Sequence, residues 1–203
     1  MSKKFAFGCG TFLIIGLVLA VIIFMWGVKL NNNMVAKEEN VKEKWSQVEN
    51  AYQRRFDLIP NLVETVKGYA KHEQDTFIAV TEARAKVGGQ INMSKDVINN
   101  PQAFQQFQQA QSSLAGALQR LMVVVEKYPD LKANENFLNL QNQLEGTENR
   151  IAVERRRFNE AAKDFNTYIK VFPNSFIASF RNFKEKVYFL SDEGAKTAPK
   201  VQF

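Results

Sequence analysis

The chain has 203 residues, 45% of them hydrophobic and 12% aromatic, with a formal net charge of +6. That length suits one well-buried domain plus a membrane anchor and leaves no room for two ordinary domains side by side. The single cysteine, Cys9, gives no disulfide framework and no cysteine-based metal site. The basic excess shrinks once it is apportioned: residues 1–29 hold Lys3, Lys4 and Lys29 and no acid, leaving 24 basic against 21 acidic side chains, or +3. Such a mixed surface gives no reason to expect nucleic acid.

From Phe5 to Val28 there are 24 consecutive uncharged residues, densest from Thr11 onward, with Trp26 near the end. At about 1.5 Å per residue this run crosses a ~30 Å hydrocarbon core as a helix and puts an indole at the interface. The apolar run is longer than that of a cleaved signal peptide, and Asn31-Asn32-Asn33-Met34 offers no small-x-small cleavage site, so the segment 1–30 reads as an uncleaved signal anchor. Lys3 and Lys4 precede it, while Lys29, Lys37, Lys42 and Lys44 follow more diffusely. The tally is nearly balanced; the lean is to an inside N-terminus, with residues 31–203 outside the cytoplasm.

The remainder reads as an all-α, elongated, antiparallel bundle of three long helices, over about 34–87, 101–128 and 132–172. A short amphipathic helix over 175–187 and an extended tail over 188–203 follow. In the first helix Trp45, Tyr52, Ile59, Val66, Val80 and Val87 share one heptad register, broken at Glu73. Pro60 lies in its middle, where the missing N–H predicts a kink or hinge. Gly88-Gly89 closes it, and 88–100 is a loop. Asn100-Pro101 reads as an N-cap with proline at the first helical position, and Phe107, Leu114, Leu121 and Tyr128 carry the second seam. In the third, Phe137, Leu144, Ile151, Phe158, Phe165 and Phe172 form six unbroken positions of one register. Three passes of this kind put residue 173 at the end far from the anchor.

The blocks Arg54-RFDLIPNLVETVKGYAKHE-Gln74, Thr81-EARAKV, Tyr128-PDLKANENF-Leu138, Arg155-RRFNEAAKDFNTYIKVFP-Asn174 and Tyr188-FLSDEGAKTAPKVQF stand in an order that resembles the LemA family of bacterial membrane proteins. The resemblance covers nearly the whole chain. It implies an N-terminal transmembrane helix in the bacterial inner membrane and an elongated helical bundle, and it supplies no reaction. A related protein is tied to the formation of magnetosome membranes, which favours a membrane-organising role by analogy.

No catalytic set stands out: His72 is the one histidine, placed between Lys71 and Glu73 on a helix like a solvated surface residue. Neither a phosphate loop nor a nucleophile elbow nor a metal-ligand spacing is present in the sequence. No cofactor, metal, small-molecule substrate or nucleic-acid partner is therefore expected. Arg54-Arg55 and Arg155-Arg156-Arg157 have two readings. They ion-pair at the surface or between helices with acids such as Asp57, Glu64, Glu154 and Glu160; or one of the turns lies inside the rod with buried acids, or meets anionic lipid head groups. Past Pro173, Phe176, Phe180, Phe183 and Val187 fall at 4, 3 and 4 spacing around Arg181, Lys184 and Lys186. That helix either caps the core, lies at a membrane interface or docks a partner subunit. The tail packs as a strap or presents the carboxylate of Phe203. The function expected is a non-enzymatic membrane-anchored scaffold that self-associates and organises membrane or envelope components. The alternative is a monomeric or small-oligomer signalling adaptor that binds its partner through the C-terminal segment.

Overall fold

The computed structural model describes residues 2–91 and 97–190, with side chains for 14–89 and 97–190. All described regular structure is helical: α1 (Ser2–Tyr69), α2 (Gln74–Ile91), a 3-10 turn (Val97–Asn99), α3 (Pro101–Val125), α4 (Pro129–Lys132), α5 (Glu135–Lys170) and α6 (Asn174–Phe180).

Helix α1 is a single helix of 68 residues, about 100 Å at 1.5 Å per residue. Its apolar N-terminal part is exposed from Ile14 to Trp26 and is long and apolar enough to cross a membrane. The buried core begins at Met34, six residues past Val28, or about 9 Å along the axis. The apolar run and the bundle therefore share one helix with no linker between them.

Where the sequence predicts one helix over 34–87, the structure has two. The helix runs through Pro60 and stops at Tyr69, and the chain reverses over Ala70–Glu73, the point where the heptad row breaks. The carbonyl of Glu73 accepts the N–H groups of Thr76 and Phe77 and so opens α2. His72 accordingly sits exposed in this turn and not on a helix. Helix α2 runs back along α1, with Phe77 beside Lys67 and Arg84 beside Phe56. It continues through Gly88-Gly89 to Ile91 instead of ending there.

Helix α3 starts as predicted. The Asn100 side-chain oxygen accepts from the N–H groups of Gln102 and Ala103 at 3.0 and 3.2 Å, with Pro101 in the first turn where no donor is needed. It runs parallel to α1: Phe104 and Phe107 pack on Trp45, and Tyr128, just past its end, reaches Glu73. Helix α5, capped by Asn134, returns antiparallel. Its pairings with α1 step evenly: Asn134 with Tyr69, Glu148 with Arg55, Phe158 with Trp45, Asp164 with Lys37 and Tyr168 with Asn33. The extra reversal at residues 70–73 adds a pass, so α5 ends beside the start of the core. The expected position of residue 173, far from the anchor, is thus inverted.

Two apolar clusters fill the bundle. One, around Trp45, Phe104, Phe107, Phe158 and Phe189, lies toward the apolar run of α1; the other, around Ile59, Leu62, Leu114, Leu121 and Phe137, lies away from it. Helix α6 ends at Phe180, with Asn182 at a φ of 57°, a left-handed conformation that asparagine tolerates. Residues 183–190 form no helix or other regular element, and so do not continue a helix to 187.

Candidate functional site

Three groups of side chains stand out in the domain, beginning with a polar layer between the two apolar clusters. Arg55 is only 3% exposed. Its Nη1 donates to both carboxylate oxygens of Glu148, at 2.9 and 3.2 Å, and its Nη2 donates to the side-chain oxygen of Gln111. The guanidinium also lies 5.1 Å from the Tyr52 ring centroid. A cavity of about 180 Å³, lined by Tyr52, Arg55, Gln111 and Glu148 among others, opens here. Arg55 thus lies inside the bundle and pairs between helices with a half-exposed acid, while Arg54 faces solvent. This half-buried ion pair between α1 and α5 fixes register more than it adds stability.

The second arrangement holds residues 183–190 against the bundle as a strap. Asn166 receives the Lys186 N–H and donates to the Lys186 carbonyl, both at 2.8 Å. Asn159 does the same for Phe189, both at 2.9 Å. The spacings explain the match: seven helical residues span about 10.5 Å and three extended residues about 10 Å, so two asparagines one heptad apart clip two strap residues three apart. Arg155 Nη2 donates to the Leu190 carbonyl at 3.2 Å, and its guanidinium covers the Phe189 ring. The buried Lys186 donates to Glu38 at 2.5 Å and to Asn99 at 2.6 Å, tying strap, α1 and the 3-10 turn together. Phe183 packs against Phe165.

The third lies at the end of α5. Phe172, the sixth position of the heptad row, is 88% exposed, because α5 stops at Lys170 and the register no longer selects a face. Phe176 and Phe180 are 77% and 86% exposed, and Arg181 and Lys184 are also exposed. Phe203 lies outside the described residues. The 4-3-4 row of the sequence is therefore divided: Phe176 and Phe180 face out, while Phe183 and Val187 pack on the core. Sequence reasoning missed Arg84, Gln111, Asn159, Asn166 and the pairing of Lys186. Only the heptad spacing of the two asparagines carried a signal.

Among the described residues no group of His, Cys, Asp or Glu gathers as metal ligands. Long helices locked by internal polar clips and continuous with an apolar span define a membrane-associated helical bundle protein. The chain belongs to the LemA family, whose model matches residues 44–203. It is similar to magnetosome protein MamQ 2 of Paramagnetospirillum magneticum and MamQ of Magnetospirillum gryphiswaldense. Each is 28% identical over 188 residues, covering 85% of this chain and 69% of the relative. It is also similar to protein LemA of Metamycoplasma hominis, 26% identical over 168 residues, covering 82% of this chain and 72% of the relative.

Proposed function

We propose that the protein is a non-enzymatic scaffold, mounted rigidly on the bacterial inner membrane, that self-associates and organises membrane or envelope components. The observation that carries this reading is the continuity of α1 from the apolar run to Tyr69, without a linker. A tethered enzyme or adaptor works best on a flexible leash that lets it search. A helix shared by span and bundle instead holds the bundle at a fixed height, the property that a structural support needs. The buried polar groups Arg55, Asn166 and Lys186 serve internal contacts and leave no assembled reactive set among them. The relatives named for magnetosomes favour the same role by analogy. In this reading the domain stands on the extracytoplasmic side, so an impermeant maleimide added to intact cells labels Leu138→Cys in a Cys9→Ser background.

The test is chemical cross-linking in native membranes, followed by light scattering of the detergent-solubilised full-length chain. A ladder of cross-linked species with a mass well above the monomer is expected. A strict monomer in both measurements contradicts the scaffold. Monomer behaviour favours the adaptor reading, whose support is an open apolar groove of about 680 Å³ between α5 and the strap, lined by residues including Arg155, Lys163, Tyr188 and Leu190. The adaptor then loses its partner when Leu190→Glu puts a charge in that groove, with the fold of the bundle checked by circular dichroism.

A further inference from the structure

The fold returns the chain to its own membrane. Helices α1 and α5 pair in even steps, Lys37 with Asp164 and Asn33 with Tyr168, each four residues further toward the span. Continued to the last residue of α5, the same pairing puts Lys170 level with Asn31, two residues past Lys29 and five past Trp26, and Phe172 follows two residues beyond the helix end. At this end of the bundle Phe172, Phe176 and Phe180 stand out, between 77% and 88% exposed, while Asn174 and Ala178 on the opposite side of α6 are buried against the bundle. Three phenylalanines exposed together are costly in water, each leaving a large apolar area unburied. Arg181 and Lys184 follow directly, exposed and without an ion pair among the described contacts, whereas neighbouring Lys170 is paired with Glu185 at 2.7 Å.

We propose that Phe172, Phe176 and Phe180 form a foot inserted into the boundary between head groups and acyl chains of the bilayer that α1 enters, with Arg181 and Lys184 on anionic head groups. This rests on reading the apolar part of α1 as a membrane span. The span fixes one point of the bundle on the membrane; the foot adds a second beside it, and two points hold the rod against tilting. Aromatic side chains favour this depth, and basic residues beside them add attraction to anionic lipid. Phenylalanine exposure at the end of the bundle nearest Trp26 and Lys29 is what selects the bilayer as the occupant.

The experiment uses the full-length chain with Cys9→Ser and one cysteine at a time: Phe176→Cys, Phe180→Cys, Trp26→Cys in the span, and Leu138→Cys at the opposite end of the bundle. Each carries a polarity-sensitive fluorophore and is reconstituted into phosphatidylethanolamine–phosphatidylglycerol vesicles with lipids bearing a quencher near the head group. The foot predicts blue-shifted emission and at least about twofold stronger quenching at 176 and 180 than at 138, together with quenching at 26. Quenching at 26 without quenching at 176 and 180 overturns the foot and leaves the span standing. Emission that is blue-shifted at 176 and 180 but insensitive to lipid quencher also overturns it, since a second copy then covers the face. No quenching at 26 removes the span reading itself.

Discussion

Arg84 Nε donates to the backbone carbonyl of Phe56 at 3.3 Å, and its guanidinium stacks 3.9 Å from the centroid of the Phe56 ring. That carbonyl is the one the N–H of residue 60 bonds in an uninterrupted helix, and residue 60 is proline. A side chain of α2 thus satisfies the acceptor that Pro60 leaves without its helical partner, and the pairing links two of the sequence blocks that resemble the LemA family.

Arg84→Ala therefore destabilises the fold by about 1–2 kcal/mol through an unmade hydrogen bond and a lost cation–π contact. In a Pro60→Ala background the helix regains its own donor, so the hydrogen-bond part of that cost shrinks. Thermal unfolding of the four proteins of this double-mutant cycle, followed by circular dichroism, measures the coupling; purely additive effects would contradict it.

The polar layer gives an asymmetric expectation. Arg55→Ala leaves Gln111 without its donor inside the bundle and costs about 3 kcal/mol. Glu148, a partly exposed partner, is different: Glu148→Gln keeps one acceptor and water replaces the rest, so its cost is about 1 kcal/mol or less. Denaturant midpoints of the two variants check the order.

Release of the strap is read by trypsin. Lys186 is buried, so cleavage after it is slow in the native chain. Asn159→Ala and Asn166→Ala each remove a two-bond clip and weaken strap binding by about 2 kcal/mol. Cleavage after Lys186 then speeds up by more than about tenfold if it follows the equilibrium opening of the strap. An unchanged rate would mean the clips do not hold it.

Much of the core was readable from the sequence, because Trp45, Tyr52, Phe107, Phe137, Phe158 and Phe165 recur at a helical period and are all buried. The period misled where the backbone stopped being helical. Phe172 keeps the heptad spacing but follows the end of α5, and Phe183 and Val187 keep a 4-3-4 spacing with Phe176 and Phe180 although the strap is not helical. The break at Glu73 read as a blemish in one long helix, and it marks the reversal that brings the C-terminal end of α5 down toward the apolar run of α1. The role of Lys186 was illegible because its partners, Glu38 and Asn99, lie 148 and 87 residues away in sequence.

The rigid union of span and bundle is tested most directly by one distance in lipid. Nitroxides at Lys29→Cys and Gln53→Cys, with Cys9→Ser, are separated by 24 residues of α1, or about 36 Å along a continuous helix. Double electron–electron resonance on the full-length chain in nanodiscs is expected to give a single narrow distribution near that value. A broad or markedly shorter distribution would show a hinge between membrane and bundle and contradict the scaffold.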